Sequence, residues 1–196
     1  MDPGNAPNLP PSAGPAASLV YADVGNRVIA YVIDLLVIAV FNIVVGIVLG
    51  IIGIAVVTGT GGNVGTNLAG SLIYTFLGLV ISGVYFVYSW TNQRATLGMK
   101  ALNLQIGNAP EGATITTEQA IRRWLALGAI FSIAQVLNPL PFVGLLLVVA
   151  AIAWVIFLLY TTSNSPTKQG WHDKFANTMI VKSIGGPTGQ GQPRPR

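Results

Sequence analysis

The sequence predicts an all-α integral membrane protein with four transmembrane helices and a small cytoplasmic β element, and three observations carry that expectation. Of its 196 residues, 52% are apolar and only 8% are charged, too few charges to clothe a water-facing domain of this size. The apolar residues are gathered into long runs separated by short polar segments. The basic residues lie in segments flanking those runs, as the topology of a multi-pass chain requires.

Residues 1–21 carry Pro3, Pro7, Pro10, Pro11 and Pro15 among Gly, Ala, Ser and Asn. Such a composition buries little apolar surface and cannot offset the entropy of ordering, so it reads as a disordered tail. The spacing Pro7-x-x-Pro10 offers the alternative of docking an SH3-like partner. No cleavable leader is expected, because residues 1–26 contain no Lys or Arg and the first apolar run exceeds a signal h-region. That run, 28–57, is apolar except for Asp34 and Asn42. It is longer than the roughly 20 helical residues that cross a hydrocarbon core, which predicts a tilted or bent first span. Gly46-x-x-x-Gly50, followed by Gly53, gives it a smooth strip for close approach of another helix.

Thr58 to Gly70 has five Gly and no charge, a flexible connection. A second span over 71–90 ends in Tyr85, Tyr88 and Trp90, aromatic residues that favour the headgroup boundary. From Gln93 to Arg123 the chain is polar, with Arg94, Lys100, Arg122 and Arg123 against Glu111 and Glu118. Within it, Ala101 to Ile106 alternates apolar and polar residues as a short strand does, and Asn108 to Gly112 supplies turn residues for a hairpin to about Ile115. Thr116 with Gln119 reads as a capping box opening a helix.

Trp124 to Leu137 alone makes only about 21 Å of helix. Starting at Thr117, with Arg122 and Arg123 snorkelling to the surface, extends it to a third span over 117–137. Asn138-Pro139-Leu140-Pro141 breaks the chain before a final span over 142–160. The segments after Val57 and Leu137 are uncharged. Four spans therefore place both termini, Arg27, the 91–123 loop and Lys168, Lys174 and Lys182 on the cytoplasmic side; three would put that basic segment outside. Thr178 to Lys182 can pair with Leu102 to Ile106 as a small sheet. Residues 183–196 read as a second disordered tail, in which Arg194 and Arg196 would contribute on the order of 2 kcal/mol of attraction to anionic lipid.

Several chemistries have no support. The chain has no cysteine and a single histidine, His172, so disulfides, thiolate metal sites and a His/Cys metal cluster are not expected, nor is any cofactor. No Gly-x-x-x-x-Gly-Lys-Ser/Thr motif and no nucleophile–base–orienter set is present, and the chain is not expected to be an enzyme. There is no Lys/Arg stripe with interleaved aromatics, so despite the net charge of +4 nucleic acid is not an expected partner. The lipid bilayer is, with a homo-oligomer or membrane-protein partner beside it.

The residues left to carry function are polar ones within or beside the spans. A carboxylate inside a spanning helix is costly and usually faces protein or water, which singles out Asp34. Arg27 lies seven places earlier, close to two turns, and Asn42 about two turns later, with Tyr31 between Arg27 and Asp34, so one helix face becomes a polar track. Functionally Asp34 is a protonatable or cation-binding group; structurally it pairs with Arg27 and holds helices together. Asp173 has two readings as well: the cap of a turn after the last span, or a charge that pairs with Arg27 or Arg94 at the mouth of the same track. His172 beside it reads as an interfacial or turn residue.

These residues together resemble the RDD family of bacterial membrane proteins, named for one arginine and two aspartates. Gly25-Asn26-Arg27-Val28-Ile29-Ala30-Tyr31-Val32-Ile33-Asp34 resembles the family's first helix. Its second aspartate falls on Asp173 within Gln169-Gly170-Trp171-His172-Asp173-Lys174-Phe175-Ala176-Asn177-Thr178. Thr96-Leu97-Gly98-Met99-Lys100 is similar to the intervening Thr-x-Gly-Lys signature, with methionine where lysine is common and lysine one place later. The resemblance covers about 22–182, and the Pro-rich start is similar to that of the mycobacterial proline-rich antigen type, though shorter and less proline-dense. It implies location in a bacterial plasma (inner) membrane and no settled activity. A minority of relatives is linked to sodium–proton exchange, which makes a monovalent cation/proton exchanger using Asp34 the alternative to a non-enzymatic membrane module.

Overall fold

The computed structural model describes residues 20–51, 64–137 and 143–182. The proline-rich start, Gly53 and the rest of 52–57, most of the glycine-rich connection, the Asn138–Pro141 break and the basic C-terminal tail lie outside the described residues.

Four long helices make up most of the fold: α1 (Val24–Ile51), α2 (Val64–Gln93), α4 (Thr117–Leu137) and α5 (Val143–Ser163). Between α2 and α4 lie a one-turn helix, α3 (Leu97–Ala101), and a strand, β1 (Leu104–Asn108). After α5 come a second one-turn helix, α6 (Trp171–Phe175), and β2 (Thr178–Lys182). Asp23 starts α1 by accepting from the Asn26 amide at 2.9 Å. The expected box opens α4, with Thr116 Oγ1 accepting from the Gln119 amide at 3.2 Å and Gln119 Oε1 from the Thr116 amide at 2.9 Å.

Among the described residues three segments are long and apolar enough to cross a membrane: Val24–Ile51, Leu72–Gln93 and Leu145–Ser163, with mean hydropathies of 2.9, 1.8 and 2.5. As far as it is described, α4 is not one of these segments; its first two turns hold Glu118, Arg122 and Arg123. The arrangement is inverted relative to a water-soluble fold. Leu36, Val40, Ile43 and Ile47, which follow one another along one side of α1, are all exposed, whereas Asp34 is 2% exposed.

α4 is held on both sides by tryptophans. Trp124 of α4 donates to Ser82 Oγ of α2 at 3.2 Å and lies over Gly83, where a Cβ would sit 3.3 Å from its ring. Trp154 of α5 donates to the Ala126 carbonyl of α4 at 3.0 Å. Tyr31, Phe86 and Trp90 stack in series beneath the cap.

The cap is made by α3, α6 and a two-stranded antiparallel sheet. β1 and β2 pair with Ile106 opposite Ile180 and Leu104 opposite Lys182, the partnership that their alternation suggested. A hairpin to Ile115 does not form: β1 pairs with β2 instead, and Asn108 closes only a turn, accepting the Ala113 amide on Oδ1 at 2.9 Å. The strand also begins at Leu104 rather than at Ala101, because Thr96 caps α3 through a hydrogen bond from the Met99 amide at 3.2 Å. Tyr21 bridges to Val181, and Lys182 donates to the Val20 carbonyl at 2.8 Å, so the chain entering α1 runs along β2.

Candidate functional site

Asp34 lies under the cap, where α1, α2 and α3 meet. Its Oδ1 accepts from the Tyr85 hydroxyl at 2.6 Å and from the Gly98 amide at 2.8 Å, and its Oδ2 from the Thr96 hydroxyl at 2.5 Å. Tyr85 in turn accepts the Leu97 amide at 3.1 Å. Three donors, one of them at the first turn of α3, compensate a carboxylate taken out of water. The Thr96-x-Gly98 pattern thus has a physical meaning. Threonine supplies a hydroxyl and a cap, and glycine permits contact: a Cβ on Gly98 would lie 2.0 Å from the Ala30 carbonyl oxygen of α1.

The Arg27–Asp34 pair expected from their shared face is not formed. Asp34 is filled by donors from α2 and α3, and Arg27, two turns nearer the cap, reaches a different carboxylate. It donates to Asp173 and to the Lys168 carbonyl. Asp173, which is 0% exposed, binds Arg123 through its other oxygen and accepts the Gly170 amide at 2.9 Å. Arg123 also donates to Thr178 Oγ1 at 2.8 Å and lies 5.4 Å from the centre of the Trp90 ring. A single carboxylate therefore joins α1, α4 and α6, and Arg123 extends the network to Thr178 at the start of β2. Asp173 both closes the start of α6 through the Gly170 amide and pairs with Arg27. Arg94 is not its partner: that side chain donates to the Ile106 and Gly112 carbonyls and ties β1 to its turn. Nor does Arg123 snorkel to the surface as Arg122 does. It is 2% exposed, because Asp173 and Thr178 satisfy it inside.

Burial by itself would raise the Asp173 carboxyl, but Arg123 and Arg27 outweigh it and hold the group well below the ordinary 3.8. His172 Nε2 faces Asp173 Oδ2 at 3.4 Å, yet burial pushes the imidazole down to about 3, so it is neutral at physiological pH. Among the described residues its Nδ1 has no hydrogen-bond partner.

Asn42 stands apart from both clusters. Its Nδ2 donates to the Ile38 carbonyl at 3.0 Å, and its Oδ1 points at Gly78 of α2 without a hydrogen bond. It lines a cavity of about 530 Å³ between α1, α2 and α4. A second cavity of about 400 Å³ between α1, α4 and α5 touches Arg27, Asp34, Arg123 and His172. Tyr31, Phe86 and Trp90 line both. Among the described residues no direct bond links Asp34 to Asp173 or to Asn42, and what the two cavities share with the expected track is Tyr31. Gly46 lies 3.8 Å (from a Cβ position) from the Tyr74 ring of α2, while no described atom lies within 4 Å of the same position on Gly50.

The partners of the two aspartates, Tyr85, Thr96, Gly98, Arg123 and Gly170, carry the site as much as the residues singled out above. Among the described residues no group of three or more His, Asp or Glu side chains is placed to hold a metal ion. No curated protein and no solved structure matches the chain significantly. The model of the RDD family matches residues 21–177, a stretch that contains Arg27, Asp34, the Thr96-x-Gly98 turn and Asp173. With that match over most of its length, and with those residues forming its two buried clasps, the chain belongs to the RDD family.

Proposed function

We propose that this RDD-family membrane domain is a non-enzymatic module of a bacterial plasma membrane that acts within a homo-oligomer or a larger membrane complex. α4 is the third of four spans, and both termini lie with the cap in the cytoplasm. The observation that supports this most is how its aspartates are used. Asp34 is enclosed by three donors and Asp173 by two guanidinium groups and an amide, so both act as joints between elements rather than as free bases. α4, packed between α2 and α5 and bearing Arg122 and Glu118 at its exposed cap-side end, completes an even number of crossings and keeps the basic segments on one side. Gly50, with no described atom within 4 Å of a Cβ position, would give a second copy a place to approach. Replacing both Gly46 and Gly50 by Leu is expected to lower recovery of crosslinked oligomer; unchanged recovery would remove that strip from consideration.

One observation favours a second function, monovalent cation/proton exchange. Asp34 lines the cavity of about 400 Å³ together with Arg27, Arg123 and His172, so a proton or cation entering it would meet the carboxylate. Purified protein in vesicles, with Na⁺ or K⁺ gradients imposed and proton movement followed, separates the two. The module predicts no flux above empty vesicles. Cation-dependent flux that disappears in Asp34→Asn would make the protein an exchanger.

A further inference from the structure

α6 has two faces. His172 and Asp173 turn inward, and Trp171 and Phe175, four places apart and so on one side of the helix, turn outward at 39% and 50% exposure. Their rings stack with centres 5.2 Å apart and planes within 7°. Trp171 continues this aromatic surface onto Trp154, at 5.3 Å, and Phe157, at 6.3 Å, both on α5. The helix is fixed in height against the end of that span. The Trp171 amide donates to Thr161 Oγ1 at 3.1 Å, and Gly170 lies so close to α5 that a Cβ there would be 2.3 Å from Thr162 Oγ1. Because Leu145–Ser163 is a candidate span, α6 lies where hydrocarbon gives way to headgroups. There a tryptophan ring keeps its body in the apolar layer and its N–H among polar groups.

The same edge carries positive charge. Lys174 is exposed beside Phe175, and Lys168 donates to the Ser163 carbonyl at 3.2 Å. Neither has a carboxylate partner among the described residues, since Asp173 is taken by Arg27 and Arg123. A surface that is aromatic toward the acyl chains and cationic at the headgroup level is complementary to an anionic phospholipid. Its continuity with the exposed side of α5, where Ile156 and Tyr160 also face outward, favours lipid over a soluble partner.

We propose that α6 is an interfacial lipid-binding helix: Trp171 and Phe175 enter the adjacent leaflet, and Lys168 and Lys174 hold the phosphate of an anionic phospholipid. Each lysine near such a surface favours binding about fivefold. The test uses the full chain in phosphatidylcholine bilayers containing phosphatidylglycerol, either lipid being brominated high on one acyl chain, with quenching of tryptophan fluorescence as the readout. The expected result is a preference for phosphatidylglycerol of about tenfold or more. In the Lys168→Gln/Lys174→Gln variant it falls toward unity, and Trp171→Phe removes a distinct part of the quenchable emission. High salt on the unaltered chain must erase the same preference, which keeps the test open if the double variant misfolds. Equal quenching by the two lipids, a preference retained in the double variant or at high salt, or quenching unaffected by Trp171→Phe overturns the assignment. So does displacement of the lipid by soluble glycerol phosphate, which would make this a site for a free anion.

Discussion

Asp173→Asn is the perturbation whose cost the structure defines most closely. It leaves the shape of the side chain nearly unchanged and removes its charge. The remaining Arg123 is 2% exposed and cannot reach water from its place beneath Trp90. Removing one partner of a buried ion pair costs about 3–5 kcal/mol. Here the lower end applies, because the asparagine oxygen still accepts one hydrogen bond and Arg27, nearer the surface, can turn outward. About 3 kcal/mol is therefore expected, a large part of a domain's stability. Arg123→Met in the same chain takes away the stranded cation, so the double variant should cost at least about 1 kcal/mol less than the sum of the singles. The exposed pair Arg122–Glu118, at 54% and 71% exposure, is the control: Glu118→Gln should cost no more than about 0.5 kcal/mol. Unfolding in mixed micelles of increasing SDS content, followed by tryptophan fluorescence and circular dichroism, measures all four. A loss under about 1 kcal/mol for Asp173→Asn, or strict additivity with Arg123→Met, would refute the claim that this carboxylate is the joint between α1, α4 and α6.

Two further outcomes test the cap. His172 titrates near 6.5 when unfolded and near 3 when folded, so its contribution is complete above 6.5 and is lost as the pH falls from there toward 3. Each unit of that descent costs about 1.4 kcal/mol. Measured stability should change little near pH 7, fall with a slope approaching this value as the pH drops below 6.5 toward 5, and flatten in His172→Gln; a slope that is the same in both would clear the imidazole of any role. Gly98→Ala drives a methyl group to within 2.0 Å of the Ala30 carbonyl, which must push α3 away from α1 and stretch the Gly98–Asp34 bond. More than about 2 kcal/mol should be lost in the same unfolding assay, and retention of full stability would mean that α3 is not pressed against α1 as described.

Legibility followed the range of the forces involved. The apolar runs of α1, α2 and α5 were readable because lipid demands unbroken apolar sequence, and the Thr116/Gln119 box because its two bonds span three residues. The pairing of β1 with β2 was readable from alternation, although the hairpin inferred beside it was not formed. α3 and α6 were missed as helices, since five residues are too few to show a period. The donors to Asp34 lie 51, 62 and 64 residues away, and no local pattern announces such partners. Arg123 was misread for a related reason. A cation at the end of an apolar run looks like a surface anchor until one sees Asp173, 50 residues on, waiting inside.

Arg27, Ala30 and Asp34 are spaced three and four apart, which puts them on one face of α1 within two turns. Through that face α1 meets α6 by an ion pair, α3 by backbone contact and α2 by the Tyr85 hydroxyl. The half of α1 nearest the cap is thus fixed by groups that bind strongly where water is scarce. Beyond Asn42, among the described residues, Leu49 is covered and Tyr74 contacts Gly46 and donates to the Asn42 carbonyl at 3.4 Å, while Ile47 and Ile51 stand 58% and 79% exposed. A helix clamped at one end and more loosely covered at the other presents its open packing surface about 30 Å from Arg27, at the level of Gly46 and Gly50 on the side of the bilayer away from the cap. That is the part of the molecule on which the proposed oligomer depends, and it can be altered without touching either clasp.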